Sequence, residues 1–530
     1  MKVRLLFLGA ILFSETVMAG GILTNTNQNI SFLRNPARDG AIGIDGVYSN
    51  PAGVAFLPEG FHLSLNFQNV TQSRSVLTTN PFFALGAKNG GNPTKLYKGE
   101  ASAPVLPSFQ AAYNKGDWSF QGAFGVIGGG GKCEFTEGLG SFEGYVGGIG
   151  TLLGGVSQQL SASGIDVPAV KGYDVDGYMQ GRQYYFGVTA GAAYKVNEHL
   201  SVYGGLRVLY GDATYKAKLE NLKAMTDKGA LTLPAFFGSV QDGVQAAGDK
   251  IQMGIGQYVG AYMAAGMTQE QAMQMPEVQQ LIAKGQTLQA TAEQLEAQSN
   301  VLAPYVNGVN LQADQVGWGI APIIGIDYKI GQFNFGAKYE FKTRMRMKNK
   351  STEKEASIIP AVNKFADGSK VPEDSPALLT VGAQWSMLDN VRINAGYHHY
   401  YDTDAHQYMH QEKLLDGGTN EYLGGIEWDP IDKLTVSAGF QVTRYGLTDE
   451  YMNDMSFVVN SWSFGAGVSY QINDRVKVQA AYFKTNYSDY ERTTPAHAMT
   501  MGGATLPMPE SKDVFGRTNH VFGIGVDLSF

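Results

Sequence analysis

The feature that most constrains this chain is a repeated alternation of apolar and polar residues with a period of two. Phe333 and Phe335, for example, share one face of an extended chain, whereas Lys338 falls on the other. Each alternating segment is at least as long as the roughly 9–11 residues that a tilted transmembrane strand requires. Fourteen segments show the pattern: 61–71, 106–114, 117–127, 182–195, 199–216, 316–329, 332–347, 377–387, 390–402, 420–429, 433–445, 457–472, 475–489 and 517–530.

The connections between these segments alternate between short turns and long loops. Residues 114–117 and 196–198 are short turns, whereas residues 217–315 form the longest loop. Short periplasmic turns and long external loops are typical of outer-membrane barrels. We therefore predict an all-β fold, a fourteen-stranded antiparallel transmembrane β-barrel. A soluble β-sandwich is the alternative.

The composition agrees with strands that are apolar on one face only. Charged residues make up 17% of the 530 residues, against about 25% in an average soluble domain. The mean hydropathy is nevertheless −0.16, which does not suit a bundle of membrane helices. The net charge of −8 argues against a nucleic-acid partner. The single cysteine, Cys133, excludes an intramolecular disulfide and a cysteine-based zinc site.

The two ends of the chain carry export and assembly signals. Residues 1–19 combine a basic start with a nine-residue apolar run and a small-residue cleavage site at Ala19, so we predict a signal peptide. We expect residues 20–60 to form an N-terminal hatch and residues 61–530 to form the barrel. The last strand ends in Phe530, which we expect the barrel-assembly machinery to recognise. The predicted location is the outer membrane of a Gram-negative cell, with membrane lipid around the barrel.

The third external loop contains a segment that is not strand-like. Residues 240–300 are rich in Gln, Ala and Met, and Thr268 to Gln271 has the sequence of a capping box. Val278 and Leu281 keep roughly helical spacing, so we predict two or more helices at about 240–300. A disordered, low-complexity loop is the alternative.

The segment from residue 40 to residue 57 carries a resemblance to a known family. It resembles the hatch of the FadL/TodX family, which are outer-membrane transporters of long-chain fatty acids and other hydrophobic compounds. The resemblance implies a plugged fourteen-stranded barrel and a kink in the wall that opens sideways into lipid, for which residues 122–125 are rich enough in glycine. The hatch or gating motif matches at Asp45, Val47, Tyr48, Asn50, Pro51, Ala52 and Gly53.

A fatty acid requires an apolar tunnel and a cation for its carboxylate. Strand parity puts five cations on the lumen face, and each is a candidate ligand contact. Pairing with neighbouring carboxylates such as Glu340 or Asp327 is the alternative. The candidates are Arg207, Lys338, Lys342, Arg344 and Arg392.

No catalytic, cofactor or metal motif accompanies these features. The sequence has no phosphate-binding loop and no paired-histidine metalloprotease motif, so we expect neither an enzyme nor a cofactor. Asp402, Asp404, His406 and His410 fall in one external loop. They could bind a metal ion, but we interpret them as solvated loop residues.

These observations predict passive transport of long-chain fatty acids or other hydrophobic small molecules. The ligand would dock on the loops at 217–315 and 348–376, enter an apolar lumen above the hatch and leave when the hatch moves or through the wall. One alternative is a plugged porin for polar solutes. Another is a surface barrel that binds a partner or mediates adhesion.

Overall fold

The computed structural model describes residues 29–302, 308–352, 364–501 and 504–530. The predicted signal peptide and residues 20–28 of the predicted hatch lie outside these ranges. None of the described helices is both long enough and apolar enough to cross a membrane.

The described chain is mostly sheet, with fourteen strands closed into an antiparallel barrel. The barrel order is β1-β2-β3-β4-β5-β7-β8-β11-β12-β13-β14-β15-β16-β20, and β20 pairs with β1 along its length. Strands β9, β10 and β17 extend this wall, β6 pairs with β5, and β18 and β19 form a separate hairpin. The strands are β1 Gly60–Thr79, β2 Thr94–Lys115, β3 Trp118–Phe135, β4 Val170–Lys195, β5 Leu200–Thr226, β6 Gly229–Thr232, β7 Val309–Ile330, β8 Phe333–Glu340, β9 Arg346–Ser351, β10 Lys370–Pro372, β11 Leu378–Leu388, β12 Val391–Tyr400, β13 Gly417–Ile431, β14 Leu434–Gly446, β15 Ser461–Asn473, β16 Val476–Tyr487, β17 Tyr490–Thr494, β18 His497–Met501, β19 Ala504–Met508 and β20 Ser511–Ser529.

All fourteen predicted segments coincide with strands of this barrel, so the predicted fold is confirmed. The apolar faces point outward: Trp318 and Phe522 are 67% and 60% exposed. The opposite faces hold buried polar groups, of which Ser64 and Asn66 are fully buried. A soluble protein has the reverse arrangement, and a wide apolar outer band is what a lipid-facing barrel requires.

The external loops hold most of the helices. The helices are α1 Ile30–Arg34, α2 Gly140–Ala162, α3 Leu233–Ala264, α4 Gln269–Met273 and α5 Pro276–Leu302. Helices α3 to α5 confirm the predicted helical loop, and the Thr268–Gln271 capping box is formed.

Helix α2 was not predicted, because its many glycines have low helix propensity and obscure its pattern. One of them permits close packing. A Cβ atom on Gly147 would lie 2.6 Å from Cβ of Phe82, on the neighbouring loop. Tertiary packing, rather than helix propensity, therefore explains this helix.

Candidate functional site

The N-terminal segment at residues 29–57, here called the hatch segment, lies inside the barrel. The side chains of Ile30 and Leu33 in α1 are fully buried and pack against Phe483 on β16 and Val521 on β20. Asn29 caps the helix, since its side-chain oxygen accepts a hydrogen bond from the Ser31 amide at 2.7 Å. The hatch segment thus fills the half of the lumen next to the short turns.

Residues 50–53, which carry the resemblance to the FadL/TodX hatch, form hydrogen bonds that attach the hatch segment to the wall. The Asn50 amide donates to Asp327 Oδ2 on β7 at 2.6 Å, and Asn334 on β8 donates to the same oxygen at 2.8 Å. The carbonyl of Pro51 accepts from Gln121 at 2.7 Å. The carbonyl of Ala52 accepts from Ser201 Oγ, also at 2.7 Å.

Gly53 completes this turn because no side chain fits there. A Cβ atom on Gly53 would lie 2.5 Å from the Asn50 amide nitrogen and 3.0 Å from Asp327 Oδ2. The Gly53 amide itself donates to the Asn50 side-chain oxygen at 3.3 Å. The Asn50 and Gly53 positions of the motif therefore each have a structural reason.

Asp45 anchors the hatch segment through buried charges. Arg38 Nε lies 2.7 Å from Asp45 Oδ2, and another nitrogen of the same guanidinium lies 3.0 Å from Glu427 Oε1 on β13. Arg34 Nη1 lies 3.4 Å from the same Glu427 oxygen. Glu427 also pairs with Arg392, at 3.3 Å. Because these charges are buried, removing one partner would leave another uncompensated.

Tyr48 joins two of the predicted cations to the hatch segment. The ring centroid of Tyr48 lies 5.2 Å from the Arg207 guanidinium carbon and 4.8 Å from Lys338 Nζ. Lys338 Nζ also donates to the Tyr48 carbonyl at 2.8 Å. Arg207 forms an ion pair with Glu340. Both cations are therefore engaged, but only Arg207 pairs with a carboxylate, as the alternative interpretation expected.

The other three predicted cations lie apart from this pair. Arg392 is held by Asp429 at 2.6 Å as well as by Glu427. Lys342 donates to the Asp404 carbonyl at 2.6 Å. Arg344 is exposed, contrary to its predicted position on the lumen face.

The position of Arg344 has a local cause. Residues 341–345 leave the ladder between β8 and β9, which shifts the inward parity by one residue. Met345 and Met347 are therefore the buried residues of this stretch, at 1% and 0% exposure.

A large apolar cluster occupies the lumen on the long-loop side of Tyr48. It is built from inward side chains of β2, β3, β4, β5, β7 and β9, together with residues from the loops. Leu209, two positions beyond Arg207 on the same face of β5, begins the cluster on that strand. Its buried members are Phe83, Tyr97, Ala101, Cys133, Phe135, Leu139, Met179, Tyr185, Leu209, Ala213, Tyr215, Ala217, Leu311, Ala313, Met345, Met347 and Phe365.

Two arginines that the sequence analysis missed lie on the lumen face of the wall near this cluster. Arg74 on β1 and Arg517 on β20 are direct register partners. Their guanidinium carbons lie 5.9 Å from the Phe457 ring centroid and 5.1 Å from the Tyr487 ring centroid, respectively.

Among the residues that the structure describes, the Arg74–Arg517 pair has no acidic partner. Both Nε atoms are buried without a hydrogen-bond partner, and neither side chain pairs with a described carboxylate. Like charges placed directly opposite each other are destabilising, so the pair favours an anion between them. If the alternation of inward and outward residues in the first predicted strand is continued beyond residue 71, it assigns Arg74 to the lumen face.

The wall is interrupted between β2 and β3. Residues 99–102 of β2 pair with β3, and so do residues 109–115, but residues 103–108 do not. Pro104 and Pro107 have no N–H to donate. Opposite them, Gly129 and Gly131 have φ of +105° and +68°, which a regular strand does not use.

A cavity of about 340 Å³ adjoins this interruption. It is lined by Thr71, Gln72, Ser73, Glu100, Ala101, Ser102, Lys132, Glu134 and Thr518. Most of its lining, including Thr71, Glu100 and Lys132, is exposed, so the cavity opens on the outer side of the wall. The expected kink at residues 122–125 is wrong in position, because 122–124 pair with β2 and 122–125 pair with β4, and the interruption begins only beyond them.

The fold and the site define a class. A closed antiparallel barrel with an apolar outer face, whose lumen is filled by its own N-terminal segment, is a plugged barrel of the outer-membrane type.

Comparison with solved structures refines this class. A Pseudomonas aeruginosa FadL homologue matches at 12% identity with a TM-score of 0.57, over 96% of this chain and 99% of that one. A mutant of the TodX monoaromatic hydrocarbon channel matches at 14% identity with a TM-score of 0.51, over 95% and 99%. No protein-family model and no curated protein matches the sequence. The likeness confirms, at the level of the fold, the resemblance carried by residues 40–57.

Proposed function

We propose that this protein is a passive channel, not an enzyme, for hydrophobic small molecules across an outer membrane. The observation that carries the proposal is the apolar cluster, which lies in the lumen between the external loops and the hatch segment. Apolar ligands bind in concave sites lined mainly by apolar and aromatic side chains. A polar-solute porin would instead need an open, charged lumen. The described lumen is filled by the hatch segment and these apolar side chains.

The hatch motif is the proposed gate. The bonds that Asn50, Pro51 and Ala52 make to the wall hold the lower lumen closed. Asp45 adds the charged anchor to Glu427 through Arg38. Release through the hatch segment would require these contacts to break together.

The proposed substrate class is an amphipathic carboxylate such as a long-chain fatty acid. The Arg74–Arg517 pair would bind the head group, since two guanidinium groups can form charge-assisted hydrogen bonds with one carboxylate. Its neighbours Phe457 and Tyr487 are aromatic. Arg207 and Lys338 would offer a second carboxylate position when Tyr48 moves away.

Uptake of two labelled substrates tests both levels of the proposal. Cells that lack other uptake routes would express the wild type, Arg74→Ala/Arg517→Ala or the control Lys115→Ala/Lys433→Ala, which removes two exposed lysines next to the short turns. We expect the arginine variant to reduce oleate uptake at least tenfold and to leave toluene uptake unchanged. Equal loss of both would contradict the head-group role. If the wild type takes up neither substrate faster than cells without it, the channel proposal is wrong.

We also propose that the substrate leaves sideways through the interruption between β2 and β3. Leu106 lies in the unpaired stretch and packs against the cluster around α1. In a Cys133→Ser background, Leu106→Cys coupled to a bulky thiol reagent should block uptake. The same label at Ile426→Cys, on the opposite side of the barrel, should not. Unchanged uptake in labelled Leu106→Cys would favour release through the hatch instead.

Phe530 is the proposed contact for the barrel-assembly machinery. Its side chain is 62% exposed, while its backbone closes the ladder to Phe61 at 2.9 and 3.0 Å. The terminal ring is therefore free of the barrel core and accessible to a partner. Phe530→Ala should reduce the amount of heat-modifiable barrel in the outer membrane.

A further inference from the structure

A cluster of histidine and carboxylate side chains lies in the external loop between β12 and β13. His406 Nδ1 lies 3.3 Å from Glu412 Oε1, and His410 Nδ1 lies 3.2 Å from the same oxygen. The two imidazole rings are 5.7 Å apart and nearly perpendicular. One ligand atom from each of the three residues lies within 4.8 Å of the other two.

These separations lie at the long end of the hydrogen-bond range and also match the spacing of ligand atoms around a metal ion. A hydrogen bond from nitrogen to oxygen usually measures about 2.7–3.2 Å. Metal–ligand bonds of about 2.0–2.2 Å in a tetrahedron put neighbouring ligand atoms about 3.4 Å apart. The Nδ1 atoms of His406 and His410 both lie at about this distance from Glu412 Oε1. A small rotation of the imidazole rings would therefore let all three ligands face one ion.

The loop is built to hold this arrangement. Met409 and His410 have φ of +56° and +58°, a left-handed conformation that is unfavourable for residues other than glycine. This backbone conformation brings His410 back towards His406. Strain of this kind persists only where the surroundings require it.

Hydrogen bonds from neighbouring backbone amides hold Glu412 and His406 in position. Glu412 is fully buried, and its second oxygen accepts a hydrogen bond from the Gln407 amide at 3.0 Å. The His406 carbonyl accepts from the Asp374 amide at 3.1 Å. Such outer contacts orient ligands in metal sites. The imidazoles remain reachable from outside, because the His410 side chain is 74% exposed.

We propose that His406, His410 and Glu412 bind one divalent cation of the zinc class in this external loop. Two imidazoles and one carboxylate are ligands that Zn²⁺ accepts, whereas Mg²⁺ and Ca²⁺ prefer oxygen ligands alone. Three protein ligands leave a fourth position for water or for a donor from another molecule. Asp402 and Asp404, which the sequence groups with the histidines, are not among the ligands. Asp402 instead accepts hydrogen bonds from Thr419 at 2.7 and 2.6 Å.

The bound ion would tie the loop together above the lumen. Lys342, on the wall, donates to the Asp404 carbonyl in the same loop. Cross-linking residues 406, 410 and 412 would therefore also steady this contact. The site does not depend on the proposed transport function.

Calorimetric titration of Zn²⁺ into the detergent-solubilised full chain, first treated with EDTA, tests the site. We expect one ion per chain with micromolar or tighter affinity, weakened at least tenfold by His406→Ala, His410→Ala or Glu412→Gln. His199→Ala, in a turn at the other end of the barrel, is the matched control and should bind like the wild type. Co²⁺ bound in place of Zn²⁺ should give the visible absorption of a tetrahedral site.

Two results would overturn the proposal. One is no binding tighter than millimolar, and the other is binding that survives in His406→Ala/His410→Ala. Heat-modifiable gel mobility shows whether each variant retains the barrel. If a variant does not fold, Zn²⁺ should still protect His406 and His410 of the wild type from diethylpyrocarbonate, and absence of protection would equally refute the site.

Discussion

Replacing Asn50 by Ala should loosen the hatch segment by an amount that the structure lets us calculate. The substitution removes a buried hydrogen bond of 2.6 Å to the Asp327 carboxylate, whose other oxygen already lacks a partner. A hydrogen bond to a charged group contributes about 1.5–3 kcal/mol. At about 1.4 kcal/mol per factor of ten, the opening equilibrium should shift about 10- to 150-fold.

Hydrogen–deuterium exchange of the peptide covering residues 44–56 measures this shift directly. In the Asn50→Ala barrel its protection should fall by that factor, while protection of the strands stays unchanged. Gln315→Ala is the matched control, because Gln315 is equally buried but its amide bonds to Asn349, on a neighbouring strand, at 2.8 Å. A change below threefold in Asn50→Ala, or an equal change in Gln315→Ala, would refute the reasoning.

Three further predictions address the hatch segment and the loops. Leu33→Ala should weaken hatch seating by about 2–5 kcal/mol, because Leu33 is fully buried, and bilayer conductance should show more frequent openings. Tyr48→Ala removes a ring that contacts two cations, each contact being worth about 0.5–2 kcal/mol, and should raise opening frequency less than Leu33→Ala does. Burial raises the pKa of Asp402 to about 6, so the folded loop favours the protonated acid and loses stability as pH rises through 6. Exchange of residues 402–416, corrected for intrinsic rates, should therefore be slower at pH 5 than at pH 8 in the wild type and insensitive to pH in Asp402→Asn.

Each of these predictions has a contradicting outcome. Conductance of Leu33→Ala that matches the wild type would mean that α1 does not hold the hatch closed. Tyr48→Ala opening more often than Leu33→Ala would invert the expected order of the two contacts. A pH difference that persists in Asp402→Asn would assign the effect to another group.

The sequence predicted the barrel because the period of two is a local property. Lipid outside and the hatch segment inside impose opposite polarity on successive residues, so Phe333 and Lys338 reveal their faces without any tertiary information. The short turns then indicated which consecutive strands are joined as antiparallel hairpins. The Asn-Pro-Ala-Gly motif was equally visible, and its turn requires at least Asn50 and Gly53.

Reasoning from local sequence patterns failed where contacts between distant residues determine the structure. Arg344 lies outside because the ladder breaks between β8 and β9, and parity cannot be carried across a break. Helix α2 was hidden because its glycines have low helix propensity, although one of them, Gly147, permits close packing against Phe82.

The sequence by itself determined the fourteen barrel strands, their inward and outward faces except around Arg344, the helical loop and the identity of the hatch motif. Only the tertiary structure decided which charges meet. Arg207 and Lys338 meet Tyr48, whereas Arg74 faces Arg517 with no described acid beside it. Alternation assigns a residue to a face of its own strand, but its neighbours on that face come from register and barrel closure. Those depend on contacts hundreds of residues apart in the chain.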